Sequence, residues 1–306
     1  MVKELREASG AGMSACKNAL VEAEGDMKRA AEILREKGLA AAAKKAGRIA
    51  AEGLVATAIS ECGKKGAIVE VNSETDFVAK NEDFVAFVKQ VAAEALGSTA
   101  TTVDALLSEK WSPDPSQTVK DVLTNKIATI GENIGIRRFD RYETGEAGGR
   151  VVDYIHGGGR IGVMLEISAG DSDSPESLIG AGRNVCMQIA AMSPQYLDRG
   201  QVPADFLARE KEILTQQANN ENAASDKPKP QQVIDKMVEG RLAKQLKETC
   251  LLDQEYVKDD KQTVEAYLKT VCGGAKVSRF TRYEKGEGIE KKEEDFAAEV
   301  QKAMNL

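Results

Sequence analysis

The sequence predicts an α+β protein in which helices are combined with antiparallel strand pairs. Segments with apolar residues at helical spacing alternate with β-type runs that are joined by glycine-rich turns. In addition, residues 138–146 recur as residues 279–287, with seven of the nine positions identical. Because an internal repeat indicates a duplicated architecture, we predict two related halves, each with the element order ββααβ.

The N-terminal segment, residues 1–38, is predicted to form three short helices, because apolar residues recur at helical spacing between glycine breaks. Asp26 stands where it can cap the third helix, and Gly38 is expected to end that helix. A bundle this small is marginally stable by itself, so we expect it to dock on another surface. The Ala-rich, basic stretch 39–52 is predicted to be a partly helical linker.

Residues 53–145 are expected to form the first half. Two β-type runs flank the turn at residues 63–66 and predict a hairpin, which is followed by two helices and a strand over residues 134–142. Asn81 stands where it can cap the first of these helices. Residues 111–115 contain two prolines and are expected to form a loop between the helices.

Residues 146–285 are expected to form the second half, with the same element order. An insertion at residues 203–248 enlarges this half, and the proline-containing segment 226–230 separates its two helical stretches. Since proline cannot continue a helix, we predict two antiparallel helices that form a protruding hairpin. The last residues, 286–306, are predicted to form a C-terminal module that contains a charged helix.

The charge balance argues against direct binding to nucleic acid. The 306 residues contain 42 Lys and Arg against 49 Asp and Glu, whereas a nucleic-acid binder usually presents a basic stripe. A membrane span needs about 20 apolar residues, and no apolar run comes near that length. Residues 1–7 carry acidic side chains and lack the apolar core of a targeting signal, so we expect a cytoplasmic protein with no membrane partner.

The cysteines and the histidine give no support to a metal or cofactor site. The five cysteines are irregularly spaced without a C-x-x-C motif, and His156 is the single histidine. A zinc site would need several Cys or His in clustered spacing, and no acidic cluster stands near His156 to suggest a hydrolytic triad. We therefore expect reduced, mostly buried thiols and neither metal nor cofactor.

Residues 157–162 match the dinucleotide-binding pattern G-x-G-x-x-G. That motif must open a helix for its glycines to hold a pyrophosphate, whereas a strand is predicted to follow here. A glycine-rich hairpin turn is therefore favoured. An enzyme that uses this turn for a dinucleotide remains the main alternative, and nucleotide should then stabilise the isolated chain. A peptide adaptor that uses residues 2–38 is a second alternative, although it leaves residues 53–285 without a role.

Residues 72–80 join a predicted strand to a predicted helix and place Phe77 beside Asp76 in a polar setting. Two interpretations are open. In the first, Asp76 caps the following helix and Phe77 packs beneath it. In the second, Phe77 is a wedge that enters the core of a partner protein, with the carboxylate beside it.

The chain resembles the elongation factor Ts family along essentially its whole length. The resemblance rests on motifs that occur in the family's order, at residues 2–6, 10–17, 25–26, 70–81, 131–133, 156–163 and 286–298. It implies a ubiquitin-associated (UBA)-like N-terminal domain, a core of two related halves, an inserted helical hairpin and a C-terminal module. Whether the hairpin joins two copies into a homodimer is left open.

The resemblance also implies a function in translation elongation, a step of protein biosynthesis. Members of the family are guanine nucleotide exchange factors that bind the GTPase elongation factor Tu, and they are not enzymes in the sense of making or breaking covalent bonds. Four consecutive residues are implied to disturb the partner's Mg²⁺ site, namely Thr75, Asp76, Phe77 and Val78. Further partner contacts are implied for Arg6, Gly10, Gly12, Met13, His156 and Gly157.

Overall fold

The computed structural model describes residues 1–145, 148–168, 174–225 and 227–290. Its α-helices are α1 Val2–Ser9, α2 Met13–Glu22, α3 Met27–Lys45, α4 Asp76–Ala79, α5 Glu82–Gly97, α6 Val103–Ser108, α7 Val119–Ile130, α8 Pro175–Met192, α9 Ala204–Ala223, α10 Gln231–Thr249 and α11 Val264–Val271. Its strands are β1 Glu52–Ile59, β2 Lys65–Ser73, β3 Lys110–Trp111, β4 Asp114–Thr118, β5 Gly135–Glu143, β6 Arg150–His156, β7 Ile161–Ser168, β8 Glu255–Tyr256, β9 Asp259–Thr263 and β10 Lys276–Glu284. The predicted combination of helices and antiparallel sheets is confirmed.

The N-terminal helices α1, α2 and α3 pack around a small apolar core. Asp26 caps α3 by accepting hydrogen bonds from the backbone N–H groups of Lys28 and Arg29, as predicted. The prediction that α3 ends at Gly38 is wrong, since the helix continues to Lys45. Gly38 is buried against α7, near the side chain of Thr124, and this packing outweighs the weak stop signal of a single glycine.

Two three-stranded antiparallel sheets form the centre of the molecule, in the orders β1-β2-β5 and β6-β7-β10. Side chains alternate between the two faces of each sheet. In the first sheet, Val69 faces α5 and α7, while its neighbour Ile68 faces the second sheet. In the second sheet, Leu165 faces α8 and Met164 faces the first sheet. The layers are therefore helices, sheet, sheet and helices.

Glycines allow the two sheets to approach each other closely. A Cβ atom on Gly66 would lie 2.5 Å from Cγ1 of Val151, and one on Gly162 would lie 2.4 Å from Cγ1 of Val55. At such distances a side chain at either position would force the neighbouring side chains to shift. Both valines belong to the buried apolar cluster that lies between the sheets.

The repeated segment lies in the contact between the sheets. The guanidinium carbon of Arg138 is 4.1 Å from the ring centre of Tyr283, and that of Arg279 is 4.0 Å from the ring centre of Tyr142. Each contact joins the arginine of one repeat to the tyrosine of the other, so the two are related by an approximate twofold axis. We propose on this basis that the two halves, residues 53–145 and 146–285, are copies of one unit.

Two short ribbons extend the correspondence between the halves. The prediction that residues 111–115 form a loop is wrong, because Trp111 pairs with Asp114 in the antiparallel ribbon of β3 and β4. Proline is compatible with such a ribbon, since a two-stranded sheet leaves outward N–H positions unpaired. The second half contains the same ribbon, in which Tyr256 pairs with Asp259.

The insertion folds as predicted into the antiparallel helices α9 and α10. They share a small apolar core of Leu214, Ala218, Ile234 and Val238, and Arg241 pairs with Glu221 at 2.6 Å. Asp226, within the predicted break, and the predicted C-terminal helix at residues 293–304 lie outside the described residues. Among the helices of the described ranges, none combines the length and the apolar composition that a membrane crossing requires.

Candidate partner-binding site

The chain that follows β2 forms the one-turn helix α4 and then α5. Thr75 caps α4, and Asn81 caps α5 as predicted. The interpretation that Asp76 caps the following helix is therefore wrong. Its carboxylate instead accepts a hydrogen bond of 2.6 Å from the ammonium group of Lys80, one turn further along. This bond lowers the pKa of Asp76 below its ordinary value.

Phe77 projects into solvent from α4, with 79% of its surface exposed. The interpretation that Phe77 packs beneath the following helix is therefore wrong as well. The next two residues face the other way, because Val78 contacts the core of the first half and Ala79 is buried. The turn thus has an anchored side and an aromatic tip. A large apolar side chain held outward on an ordered turn is typical of a protein interaction site.

Glu132 braces this turn from the side. One carboxylate oxygen accepts the backbone N–H groups of Glu74 and Thr75 at 3.1 and 3.0 Å, and the other accepts the hydroxyl of Thr75 at 2.6 Å. Residues 131–133 carry a family motif, but Glu132 is not among the site residues that the sequence predicts. Its 57-residue separation from Thr75 left no local signal for the contact.

A second set of bonds ties the turn to the segment after α3. The carboxylate of Glu74 accepts the backbone N–H of Asn133 at 2.5 Å and a guanidinium N–H of Arg48 at 3.4 Å. The side-chain amide of Asn133 donates to the backbone carbonyl of Arg48 at 2.7 Å. Three segments that are distant in sequence therefore meet behind the turn.

His156 and Gly157 lie at the end of β6 and in the turn that leads to β7. The exposed ring of His156 contacts Tyr154 through Nδ1, 3.0 Å from the phenol oxygen. The carbonyl of Gly159 accepts the backbone N–H of Val55 at 2.8 Å, which fixes the turn against β1. Because a strand follows this G-x-G-x-x-G segment, its interpretation as a hairpin turn is confirmed.

The remaining predicted contact residues cluster around the turn between α1 and α2. Arg6, Gly10, Gly12 and Met13 are all exposed. Gly10 ends α1 in the left-handed conformation, and its carbonyl accepts the hydroxyl of Thr129 from α7 at 3.3 Å. The end of α7 therefore contacts the turn between α1 and α2 through Thr129. A few residues later the chain reaches Glu132, which braces the other turn, the one after β2.

The chain that leaves β10 returns to the same end of the first sheet. Gly286 donates its backbone N–H to the buried carboxylate of Glu70 at 2.7 Å, and Arg137, Arg138 and Asn72 also donate to that carboxylate. Burial by itself would raise the pKa of Glu70, but these hydrogen bonds outweigh it and hold the pKa below its ordinary value. The start of the predicted C-terminal module is thus fixed near β1 and β2.

Comparison with known proteins identifies the family. Residues 74–287 match the sequence model described as Elongation factor TS. An elongation factor Ts from Clostridium perfringens is 53% identical over 305 residues, which cover 98% of this chain and 97% of that protein. The proteins of the same name from Clostridium kluyveri and Clostridium botulinum are 52% and 50% identical, each over 99% of this chain and 97% of the relative. The chain belongs to the elongation factor Ts family.

In this member of the elongation factor Ts family, the site presents an exposed surface that can contact a partner protein. Across the described ranges, no three His, Cys, Asp or Glu side chains are grouped so that they could hold a metal ion. The site instead presents an apolar tip, Phe77, beside a charged carboxylate, Asp76, on a turn with a hydrogen-bonded base. Such a tip can enter a preformed or transient cleft in a partner protein.

Proposed function

We propose that this chain binds elongation factor Tu in its GDP-bound state and promotes the release of GDP, as a guanine nucleotide exchange factor of translation elongation. The observation that carries the proposal is the 79% exposure of Phe77 on a turn whose backbone is hydrogen-bonded from behind. Membership of the elongation factor Ts family supports the same function.

In the proposed mechanism, GDP and this chain stabilise different conformations of the partner's nucleotide site. A GTPase holds GDP through backbone amides, a lysine and Mg²⁺. An exchange factor must bind the nucleotide-free state more tightly than the loaded state. By linkage, the factor by which it weakens GDP binding is the factor by which GDP weakens its own binding.

Residues 75–78 would act as the wedge. Phe77 inserted between helices of the partner would displace the elements that hold Mg²⁺ and phosphate, while Val78 keeps the base of the turn attached to this chain. Asp76 would bring a negative charge close to the Mg²⁺ site and compete for its neighbourhood. Because the turn is already ordered, little conformational entropy is lost when it binds.

The other predicted residues would supply affinity. We propose that residues 1–38 form a domain whose exposed turn at Gly10, Gly12 and Met13 contacts the partner's nucleotide domain. His156 and Gly157 would contact a second surface of the partner. The two regions lie on different elements, and simultaneous contacts at both would fix the position of residues 75–78 on the partner.

The test is the rate of GDP release from elongation factor Tu that carries a fluorescent GDP analogue. Adding this chain with excess unlabelled GDP should accelerate the loss of fluorescence in a concentration-dependent manner. An unchanged rate at saturating chain concentration would contradict the proposal. In parallel, millimolar GDP or NAD should leave the melting temperature of the isolated chain unchanged, whereas a rise of several degrees would favour the dinucleotide enzyme instead.

A further inference from the structure

We infer that Glu132 is a positioning residue for the wedge, and this inference rests on the proposed function. The carboxylate of Glu132 receives three hydrogen bonds from two neighbouring residues of the turn, Glu74 and Thr75. None of these three bonds involves Phe77. Its role would be to set the direction in which Phe77 points before the partner arrives.

The turn needs such a brace because the sheet ends before it. The last pairs that β2 makes are Ser73 with Glu52 of β1 and Asn72 with Gly135 of β5. The next two backbone N–H groups lie beyond both ladders, and the carboxylate of Glu132 accepts both of them. A buried or half-buried N–H without an acceptor is costly, so removal of this carboxylate would favour other conformations of the turn.

The sequence delivers Glu132 to this place through a glycine. Helix α7 ends at Gly131 with φ of +87°, a left-handed conformation that most side chains avoid. The chain therefore reverses at once, and Glu132 points back toward the end of β2. The bonding is reciprocal, because Asn133 donates its backbone N–H to the carboxylate of Glu74 at 2.5 Å. Each segment thus supplies one carboxylate to the backbone of the other.

The geometry of α4 transmits this constraint to the tip. Thr75 both donates its hydroxyl to Glu132 and accepts the backbone N–H of Val78, so its side chain links the brace to the first turn of α4. Phe77 lies inside that turn and is itself mostly exposed, so contacts of its own ring do little to fix it. Loosening Thr75 would therefore broaden the directions that Phe77 samples without opening the core of the first half.

The experiment measures GDP release at saturating concentrations of this chain, with the variants Glu132→Ala, Phe77→Ala and their combination. Glu132→Ala should slow the maximal rate by ~10-fold, which corresponds to ~1.4 kcal/mol. In the Phe77→Ala background the same change should have less than ~2-fold effect, because an absent tip cannot be misdirected. Glu265→Ala, which removes an exposed carboxylate paired with Lys269, is the matched control and should leave the rate unchanged.

A conservative substitution separates positioning from a need for negative charge. Glu132→Gln should retain the rate within ~3-fold, since the amide oxygen can accept the two N–H groups while the Thr75 hydroxyl turns to accept from the amide nitrogen. If Glu132→Ala does not fold, Thr75→Val serves instead, since it removes the hydroxyl that links Glu132 to the backbone N–H of Val78 and keeps both backbone bonds to Glu132. Thr75→Val should slow release by ~3-fold, again only when Phe77 is present.

The outcomes distinguish this inference from the proposed function. Equal effects of Glu132→Ala with and without Phe77 would overturn the positioning role, as would a normal rate for Glu132→Ala when Phe77→Ala is slow. A normal rate for Phe77→Ala itself would instead overturn the wedge. A slow Glu132→Ala that is rescued by glutamine and silent without Phe77 would support the inference.

Discussion

The substitution Phe77→Ala separates a binding role from a folding role. A fully buried phenylalanine such as Phe84, with 0% of its surface exposed, is expected to cost about 3–5 kcal/mol of folding stability when it is truncated to alanine. Phe77 is 79% exposed, so only about a fifth of its surface is removed from water on folding. Scaling the buried case by that fraction predicts a loss below about 1 kcal/mol for Phe77→Ala.

The effect on exchange should be much larger than the effect on stability. An aromatic anchor that becomes buried in a partner commonly contributes about 2 kcal/mol or more, which corresponds to a rate or affinity change of about 30-fold. The assay pairs two measurements on each variant, the melting temperature of the isolated chain and the rate of GDP release from elongation factor Tu. Phe77→Ala should melt close to the wild type and exchange slowly, while Phe84→Ala should show the reverse for its folded fraction.

Either of two results would refute this reasoning. A large drop in the melting temperature of Phe77→Ala with normal exchange would mean that its ring supports the fold. Normal melting together with normal exchange would mean that the exposed ring contributes nothing to the partner contact. The control Val257→Ala, which truncates another exposed apolar side chain in the second half, should change neither quantity.

Further predictions follow from the core and the insertion. Gly162→Ala should lower the free energy of unfolding, measured in denaturant, by about 1–3 kcal/mol because its Cβ would meet Val55. The control Gly180→Ala, on the open face of α8, should not destabilise the protein. Equal stability of both variants would contradict the close contact between the sheets. The folded-state pKa of Glu70 lies below its ordinary value of 4.5, so the stability it contributes is present above that pH and is lost as the pH falls through the lower folded value. Thermal melting from pH 7 to pH 3 should therefore show a steeper acid loss for the wild type than for Glu70→Gln, and parallel curves would be evidence against this assignment. Replacement of residues 204–247 by a short linker should leave a cooperative unfolding transition and part of the exchange activity. The reason is that the apolar core of α9 and α10 is separate from that of the sheets. A non-cooperative transition would show that the hairpin belongs to the core.

Local signals in the sequence were sufficient for most of the helices and strands. Asp26 and Asn81 cap α3 and α5 because a side-chain oxygen before a helix satisfies its first N–H groups wherever the helix packs. The glycine-rich turn at residues 157–162 was predicted from the strand that follows it. Gly38 misled the prediction, because whether a glycine ends a helix depends on α7, which lies far along the chain.

Only some residues of the candidate site could be predicted from the sequence. The residues that could not be predicted are those whose role depends on contacts with distant parts of the chain. The polar setting of Phe77 suggested an exposed aromatic, but the sequence alone left the packed interpretation open. Glu132 was missed because nothing near it in sequence indicates which backbone groups its carboxylate meets. The same holds for Arg48, whose contact with Glu74 forms only when the segment after α3 is folded against the end of β2.

The crossed arginine–tyrosine contacts between the sheets constrain how this chain can change over time. Arg138 contacts Tyr283 and Arg279 contacts Tyr142, so each half supplies one arginine and one tyrosine, and each contact joins one residue from each half. A substitution at one of these positions therefore alters a contact with a residue of the other half, and a compensating substitution must arise about 140 residues away in the same chain. We propose that this reciprocity has preserved the arginine and the tyrosine, two of the seven positions at which the repeated segments agree.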